Sequence, residues 1–100
     1  MSVAIDIGVF IESSPDLHSG RPMIAGTGTS VRRVAVLYRE GLSGEEITYR
    51  MKHLSLTQVY AALTYYHANR AEIEADLAAE EAEYWRLVAL HSGENRQHKQ

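Results

Sequence analysis

The chain has 100 residues, 45% hydrophobic and 23% charged, a composition typical of one small globular domain and not of a disordered chain. It contains no cysteine, which excludes disulfide bonds, thiolate metal sites and a cysteine nucleophile. Its net charge of −3 argues against indiscriminate binding of nucleic acid, and no stretch approaches the roughly 20 apolar residues that span a bilayer. We therefore predict a cytoplasmic protein whose modest core gains stability from a partner or a second copy.

Residues 1–29 are predicted to form an N-terminal arm with short strands. Residues 4–11 are rich in β-branched and aromatic side chains, although Gly8 weakens a strand there. Residues 23–31 have two glycines near their centre, which favours a short hairpin or a bent strand with glycine in its turn. These glycines do not form a phosphate loop, because the lysine of that motif is absent.

Residues 30–70 are predicted to form a three-helix core. The first helix is predicted from Val31 to Glu40, with Ser30 as its N-terminal cap, and Gly41 ends it. Its apolar stripe consists of Val31, Val34, Leu37 and Tyr38. This stripe is the face that we expect to pack against the other two helices.

A helix-start signature then occurs twice, twelve residues apart, at residues 42–47 and 54–59. In each copy a serine can cap the N–H of the third helical residue, and Glu46 or Gln58 at that residue can reach back to the N–H of the serine. The spacing is that of a helix-turn-helix, a motif that often binds DNA. The second helix is expected to cover residues 44–51.

The second and third helices have apolar residues at helical spacing. We expect burial of Ile47 and Met51 from the second helix, and of Val59, Ala62, Leu63 and Tyr66 from the third. Since no glycine or proline lies between Ser55 and Ser92, the helix is predicted to continue from Leu56 to about Leu90. Residues 71–91 are thus a C-terminal helical extension, and residues 92–100 are predicted to be a disordered tail.

Charge is unevenly distributed along the chain. Residues 30–53 hold five cations and three anions, whereas residues 71–85 hold six anions and neither lysine nor arginine. The side chains predicted to bind DNA phosphates are Arg32, Arg33, Arg50 and Lys52, and those predicted near base edges are Thr57, Gln58 and Tyr60. Gln58 has two alternative roles, as a capping partner of Ser55 or as a reader of a base.

The C-terminal extension combines acidic residues with an imperfect apolar stripe. Its predicted partner-binding residues are Ile73, Leu77, Glu80, Glu81, Tyr84, Trp85 and Val88. The alternative is a helix that folds back onto its own domain. A surface of this composition suits a second copy or a partner that is basic around an apolar groove.

The sequence lacks the usual catalytic patterns. The five histidines have no metal-ligand spacing, and the serines lie in turns or helix caps instead of a Gly-x-Ser-x-Gly elbow. We therefore predict that the protein is not an enzyme and that it uses neither a metal nor another cofactor.

The region from Ile11 to about Glu72 resembles the domain of unknown function 433 family. The resemblance depends on three segments, Gly-Arg-Pro-Met-Ile-Ala-Gly-Thr at 20–27, Gly-Leu-Ser-Gly-Glu-Glu-Ile at 41–47, and Ala-Ala-Leu-Thr-Tyr-Tyr at 61–66. It implies a mainly α protein with a homeodomain-like helix-turn-helix, usually dimeric and similar to VapB-type antitoxins encoded beside a PIN-like nuclease toxin. The chain departs from the family pattern at 28–30, Gly-Thr-Ser, and at 50–53, Arg-Met-Lys-His.

From these patterns we expect one of two functions. The first is a homodimeric antitoxin that binds operator DNA through the helix-turn-helix and covers a PIN-like toxin with its extension. The second is a protein interaction module that does not bind DNA, which the acidic net charge and the small number of cations favour.

Overall fold

The computed structural model describes residues 7–14 and 20–98, with side chains at 8–14 and 20–92. These residues form a mainly helical protein with four α-helices and a two-stranded antiparallel sheet. The chain divides into two compact units, the first ending at Asn69 and the second beginning at Arg70. Residues 1–6, 15–19 and 99–100, which include the predicted strand residues 4–6, lie outside the described residues.

The sheet lies near the start of the first unit. Strand β1 (Ile11–Glu12) pairs with strand β2 (Met23–Ile24), with Ile11 opposite Ile24 and Glu12 opposite Met23. The strand that we predicted over 4–11 is wrong at Ile7–Val9, which form a 3-10 turn. Gly8 at the centre of that turn offers no side chain to pack on a sheet face.

A glycine turn follows β2, as the sequence predicted. The Thr27 N–H donates to the Ile24 carbonyl at 3.1 Å, and Gly26 between them has a φ of 75°. This is the left-handed conformation that the third position of a type II turn requires, and glycine adopts it without steric cost. The returning chain is held by a 2.9 Å bond from the Ile24 N–H to the Thr29 carbonyl.

Three helices follow, each within one residue of its predicted start. They are α1 (Val31–Arg39), α2 (Gly44–Arg50) and α3 (Leu56–Ala68), and both α1 and α2 pack against α3. The expected inward residues Val31, Val34, Ile47, Val59, Ala62, Leu63 and Tyr66 are buried. Leu37, Tyr38 and Met51 are less buried than predicted. Leu37 and Met51 are half-buried, and Tyr38 is 37% exposed.

The predicted uninterrupted helix from residue 56 to about 90 is wrong at Asn69. There the chain leaves helical geometry, with φ −126° and ψ 33°, and α4 (Arg70–His98) begins at the next residue. The Asn69 side chain donates from Nδ2 to the Tyr65 carbonyl at 3.1 Å. Asparagine interrupts helices in this way because its short amide competes for backbone carbonyls. Helix α4 also extends past the predicted end at residue 91.

Candidate nucleic-acid interface

Helices α2 and α3 are joined by the five residues 51–55, and this connection is anchored in the core. The Met51 N–H donates to the Ile47 carbonyl at 2.8 Å, and the Leu54 N–H donates to the Met51 carbonyl at 2.9 Å. Leu54 is only 3% exposed. An apolar residue buried in the middle of a short connection fixes the direction in which the next helix starts. The start of α3 is thereby held relative to α2.

Both predicted capping boxes are present. At α2 the Glu46 N–H donates to Ser43 Oγ at 3.2 Å, and the Ser43 N–H donates to Glu46 Oε1 at 2.9 Å. At α3 the Gln58 N–H donates to Ser55 Oγ at 3.1 Å, and the Ser55 N–H donates to Gln58 Oε1 at 2.8 Å. Of the two roles that the sequence left open for Gln58, this geometry places its carboxamide in the cap.

Glu46 and Tyr60 are held by hydrogen bonds that shift their pKa values. The bonds from Ser43 to the Glu46 carboxylate lower the pKa of Glu46, because they stabilise its charged form. The Tyr60 hydroxyl donates to Glu45 Oε1 at 2.9 Å, and this bond raises the pKa of Tyr60 because it needs the protonated phenol. Tyr60, predicted to lie near base edges, is thus bound to the start of α2.

The close approach of Tyr60 to α2 requires a glycine. A Cβ at Gly44 would lie 2.7 Å from Cζ of Tyr60, well inside van der Waals contact. Gly44 is buried, whereas Tyr60 remains 43% exposed. The absence of a side chain at Gly44 therefore permits the contact that positions the tyrosine.

The predicted phosphate-binding cations fall on two elements. Arg50 and Lys52 are exposed at the end of α2 and in the connection to α3, and Lys52 Nζ lies 5.3 Å from the centroid of the exposed Tyr49 ring. Neither cation forms a salt bridge with an acidic side chain in the described part of the chain. Arg50 does act electrostatically on the Glu46 carboxylate, one turn earlier on α2. Arg32 and Arg33 lie on the first turn of α1, half-buried and exposed respectively.

A hydrogen bond that no sequence pattern predicts connects these two parts of the first unit. Thr29 Oγ1, just before α1, lies 2.7 Å from Nε2 of His53 in the connection before α3. Thr29 is 8% exposed, so this contact fixes the segment before α1 against the turn. Thr57, predicted to face DNA, is exposed in the first turn of α3. The structure thus brings Arg33, His53, Lys52 and Thr57 onto neighbouring segments of one unit.

The second unit holds the predicted partner-binding residues. Among them, Ile73 and Leu77 are buried, at 2% and 8% exposed, and Val88 is half-buried. The other four, Glu80, Glu81, Tyr84 and Trp85, are exposed. The accessible part of the predicted surface is therefore the stretch from residue 80 to residue 85.

Tyr84 and Trp85 form an exposed aromatic pair on α4. Their ring centroids are 5.1 Å apart at an interplanar angle of 78°, and each residue is 58% exposed. Nearby, Arg86 Nη2 donates to Glu83 Oε1 at 2.6 Å, which lowers the pKa of Glu83. An exposed aromatic pair beside acidic residues has the composition of an interface hot spot.

Among the described residues, two other kinds of site are absent. No three histidine or acidic side chains among them are grouped as ligands of a metal ion. None of the helices they form is long and apolar enough to cross a membrane.

Comparison with known proteins places the first unit in a family. The family model described as "Protein of unknown function (DUF433)" matches residues 11–66. A crystal structure of a DUF433 member protein from Anabaena variabilis ATCC 29413 is similar, with a TM-score of 0.61 and 23% sequence identity. The similarity covers 69% of this chain and 68% of that chain, and at this identity it establishes the fold alone. No curated protein matched.

Proposed function

The chain belongs to the DUF433 family, since more than half of it matches the family model, and we propose that it is the DNA-binding antitoxin of a toxin–antitoxin pair. In this proposal α1, α2 and α3 form a homeodomain-like helix-turn-helix in a cytoplasmic protein that is not an enzyme. The observation that carries it is the placement of two exposed cations, Arg50 at the end of α2 and Lys52 in the connection that leads to the capped start of α3. In helix-turn-helix proteins the second helix enters the major groove while neighbouring cations hold phosphates.

Within this proposal the exposed side chains have two roles, contact with phosphates and contact with base edges. Arg50, Lys52 and Arg33 contact phosphates, and they contribute affinity that does not depend on the base sequence. Thr57, exposed in the first turn of α3, is the side chain best placed to contact a base edge. Gln58 and Tyr60 have intramolecular partners that they would have to leave before contacting a base.

The DNA proposal is tested by fluorescence anisotropy with the DNA upstream of the chain's own coding sequence, over a range of salt concentrations. The double variant Arg50→Ala, Lys52→Ala is expected to reduce the slope of log affinity against log salt by about 1.8, since each phosphate contact contributes about 0.9. A matched control, Arg39→Ala with Arg86→Ala, removes the same charge from exposed positions that belong neither to α2 nor to its connection with α3. Equal slopes for the two double variants would contradict the assignment of the DNA face.

We also propose that the protein binds a toxin. The exposed Tyr84–Trp85 pair beside Glu80 and Glu81 supports this part of the proposal. The RNA-binding cleft of a nuclease must be basic, so an acidic segment with aromatic anchors is complementary to it. Trp85→Ala is expected to speed dissociation from the neighbouring gene's product and to abolish growth rescue. Glu80→Gln with Glu81→Gln is expected to slow association in a salt-dependent way. If the Trp85→Ala variant rescues growth as well as the parent does, α4 does not form the toxin interface.

We also propose that the protein is a homodimer. A chain of this size has a small core, and pairing of two copies would double the basic surface offered to DNA. Light scattering at micromolar concentration is expected to give about twice the chain mass of 11.2 kDa. A mass of one chain would refute the dimer.

The second candidate function is an interaction module that does not bind DNA. The engagement of Gln58 and Tyr60 in intramolecular hydrogen bonds favours it, because these side chains are then unavailable to bases. The same anisotropy titration separates the two functions. An interaction module gives no salt-dependent binding to the upstream duplex, with or without the product of the neighbouring gene.

A further inference from the structure

The first unit contains a cleft of about 550 Å³ between the segment before α1 and the connection before α3. Its volume lies within the range of roughly 300–1,000 Å³ that is usual for ligand sites. The polar side chains that line it are Arg21, Thr29, Ser30, Arg33 and His53, while Met23 and Met51 supply apolar surface. These residues come from segments up to 32 positions apart in the sequence, which the fold brings together.

The lining of this cleft is positive and rich in hydrogen-bond donors. Two of its side chains are guanidinium groups, and no acidic side chain is among the described residues that line it. The guanidinium of Arg33 has no ion pair with a described carboxylate. Arginine offers a planar fork of N–H donors that matches two oxygens of a phosphate at once.

The remaining polar groups are already oriented by the fold. Ser30 Oγ accepts the Arg33 N–H at 3.2 Å as the cap of α1, and its own hydroxyl hydrogen stays available for donation. The imidazole of His53 is fixed by the 2.7 Å contact between its Nε2 and Thr29 Oγ1. A group that is held before its ligand arrives loses little conformational entropy on binding.

We propose that this cleft is a binding site for a phosphate group, with the guanidinium group of Arg33 as its principal ligand and the Ser30 hydroxyl as a further donor. A tetrahedral anion with several acceptor oxygens can accept hydrogen bonds from an arginine fork and a hydroxyl together. Arg50 and Lys52 are not among the described residues that line the cleft. The cleft shares Arg33 with the proposed DNA face, but the proposal that it binds phosphate does not require that the protein binds DNA. Its phosphate comes either from a nucleic-acid backbone or from a free phosphorylated compound.

The proposal is tested by NMR of the full-length, ¹⁵N-labelled chain titrated with sodium phosphate and, separately, with sodium chloride at matched ionic strength. Phosphate is expected to shift the amide signals of Thr29, Ser30 and His53, whereas chloride leaves them in place. Arg33→Gln is expected to weaken phosphate binding about tenfold or more, because a hydrogen-bonded charge is lost.

The matched control is Arg39→Gln, which removes an exposed arginine at the other end of the same helix and is expected to leave phosphate affinity unchanged. Arg33→Lys keeps the charge without the fork, and it is expected to bind with intermediate affinity. Thermal unfolding of each variant verifies that the fold is retained. Shifts with phosphate no larger than with chloride, or equal losses in Arg33→Gln and Arg39→Gln, overturn the site.

A parallel titration with the upstream DNA duplex identifies the source of the phosphate. If the source is the nucleic-acid backbone, the duplex shifts the same amide signals and added phosphate competes with it. If the source is a free compound, inorganic phosphate and pyrophosphate shift these signals and the duplex does not. That second result would show that this cleft does not bind DNA, and it would still support the phosphate site.

Discussion

The two capping boxes allow a quantitative test, because they are the same device at the starts of α2 and α3. Ser43→Ala removes the acceptor of a 3.2 Å bond from the Glu46 N–H, and Ser55→Ala removes the acceptor of a 3.1 Å bond from the Gln58 N–H. Loss of such a cap typically costs about 1 kcal/mol of folding free energy. For a domain of about 60–100 residues this corresponds to a fall in Tm of about 4–8 °C.

The assay is thermal unfolding followed by far-ultraviolet circular dichroism, with each alanine variant paired with its asparagine counterpart. Asparagine caps helices as well as serine does, so Ser43→Asn and Ser55→Asn are expected to keep a Tm close to that of the parent. The two alanine variants are expected to lose similar amounts, since the bond lengths and exposure of the caps are alike. If alanine and asparagine lower the Tm equally at either position, the caps do not supply the stability assigned to them.

Two further predictions concern the start of α2. Gly44→Ala places a Cβ 2.7 Å from Tyr60 Cζ, so the tyrosine ring must move and its hydroxyl must leave Glu45. NMR titration of ¹³C-labelled tyrosine is therefore expected to show that the raised pKa of Tyr60 falls toward its ordinary value. An unchanged pKa would show that the ring stays in place. Glu46→Gln keeps an acceptor for the Ser43 N–H but removes the charge. Because the pKa of Glu46 is lowered in the fold, its charge stabilises the protein above the ordinary glutamate pKa, and this contribution is lost as pH falls through the folded value. Urea unfolding at pH 6 and pH 3 is expected to show that the stability advantage of the parent over Glu46→Gln narrows at pH 3, and a constant difference would contradict the assignment.

Local features of this fold were predictable from short stretches of sequence. The caps at Ser43 and Ser55 depend on residues only three positions apart, so the serine and its glutamate or glutamine partner suffice to predict them. The turn at Gly26 was also predictable from a short segment, because glycine is the residue that most easily adopts the positive φ found there. The buried stripes of α1 and α3 followed from helical periodicity.

The end of α3 was missed although its cause is also local. We expected glycine or proline at a helix end, whereas Asn69 ends α3 by donating from its side chain to the carbonyl of Tyr65. Asparagine is common enough in helix interiors that its presence alone does not predict a break. The strand prediction is also wrong at residues 7–9, where Gly8 adds no side chain to a sheet face and therefore weakens the strand.

The sequence by itself determined the helix starts, the glycine turn, the apolar faces and the exposure of Arg50, Lys52 and Thr57, because neighbouring residues on one segment control each of them. Only the tertiary structure decided the contacts between segments. The Thr29–His53 bond joins residues 24 positions apart, and the Tyr60–Glu45 bond joins residues 15 positions apart. The cleft containing Arg21 and Arg33 likewise exists only after α1 and the α2–α3 connection have packed together. No local periodicity records such pairings, since they depend on how buried faces meet and on the space that a residue such as Gly44 leaves open.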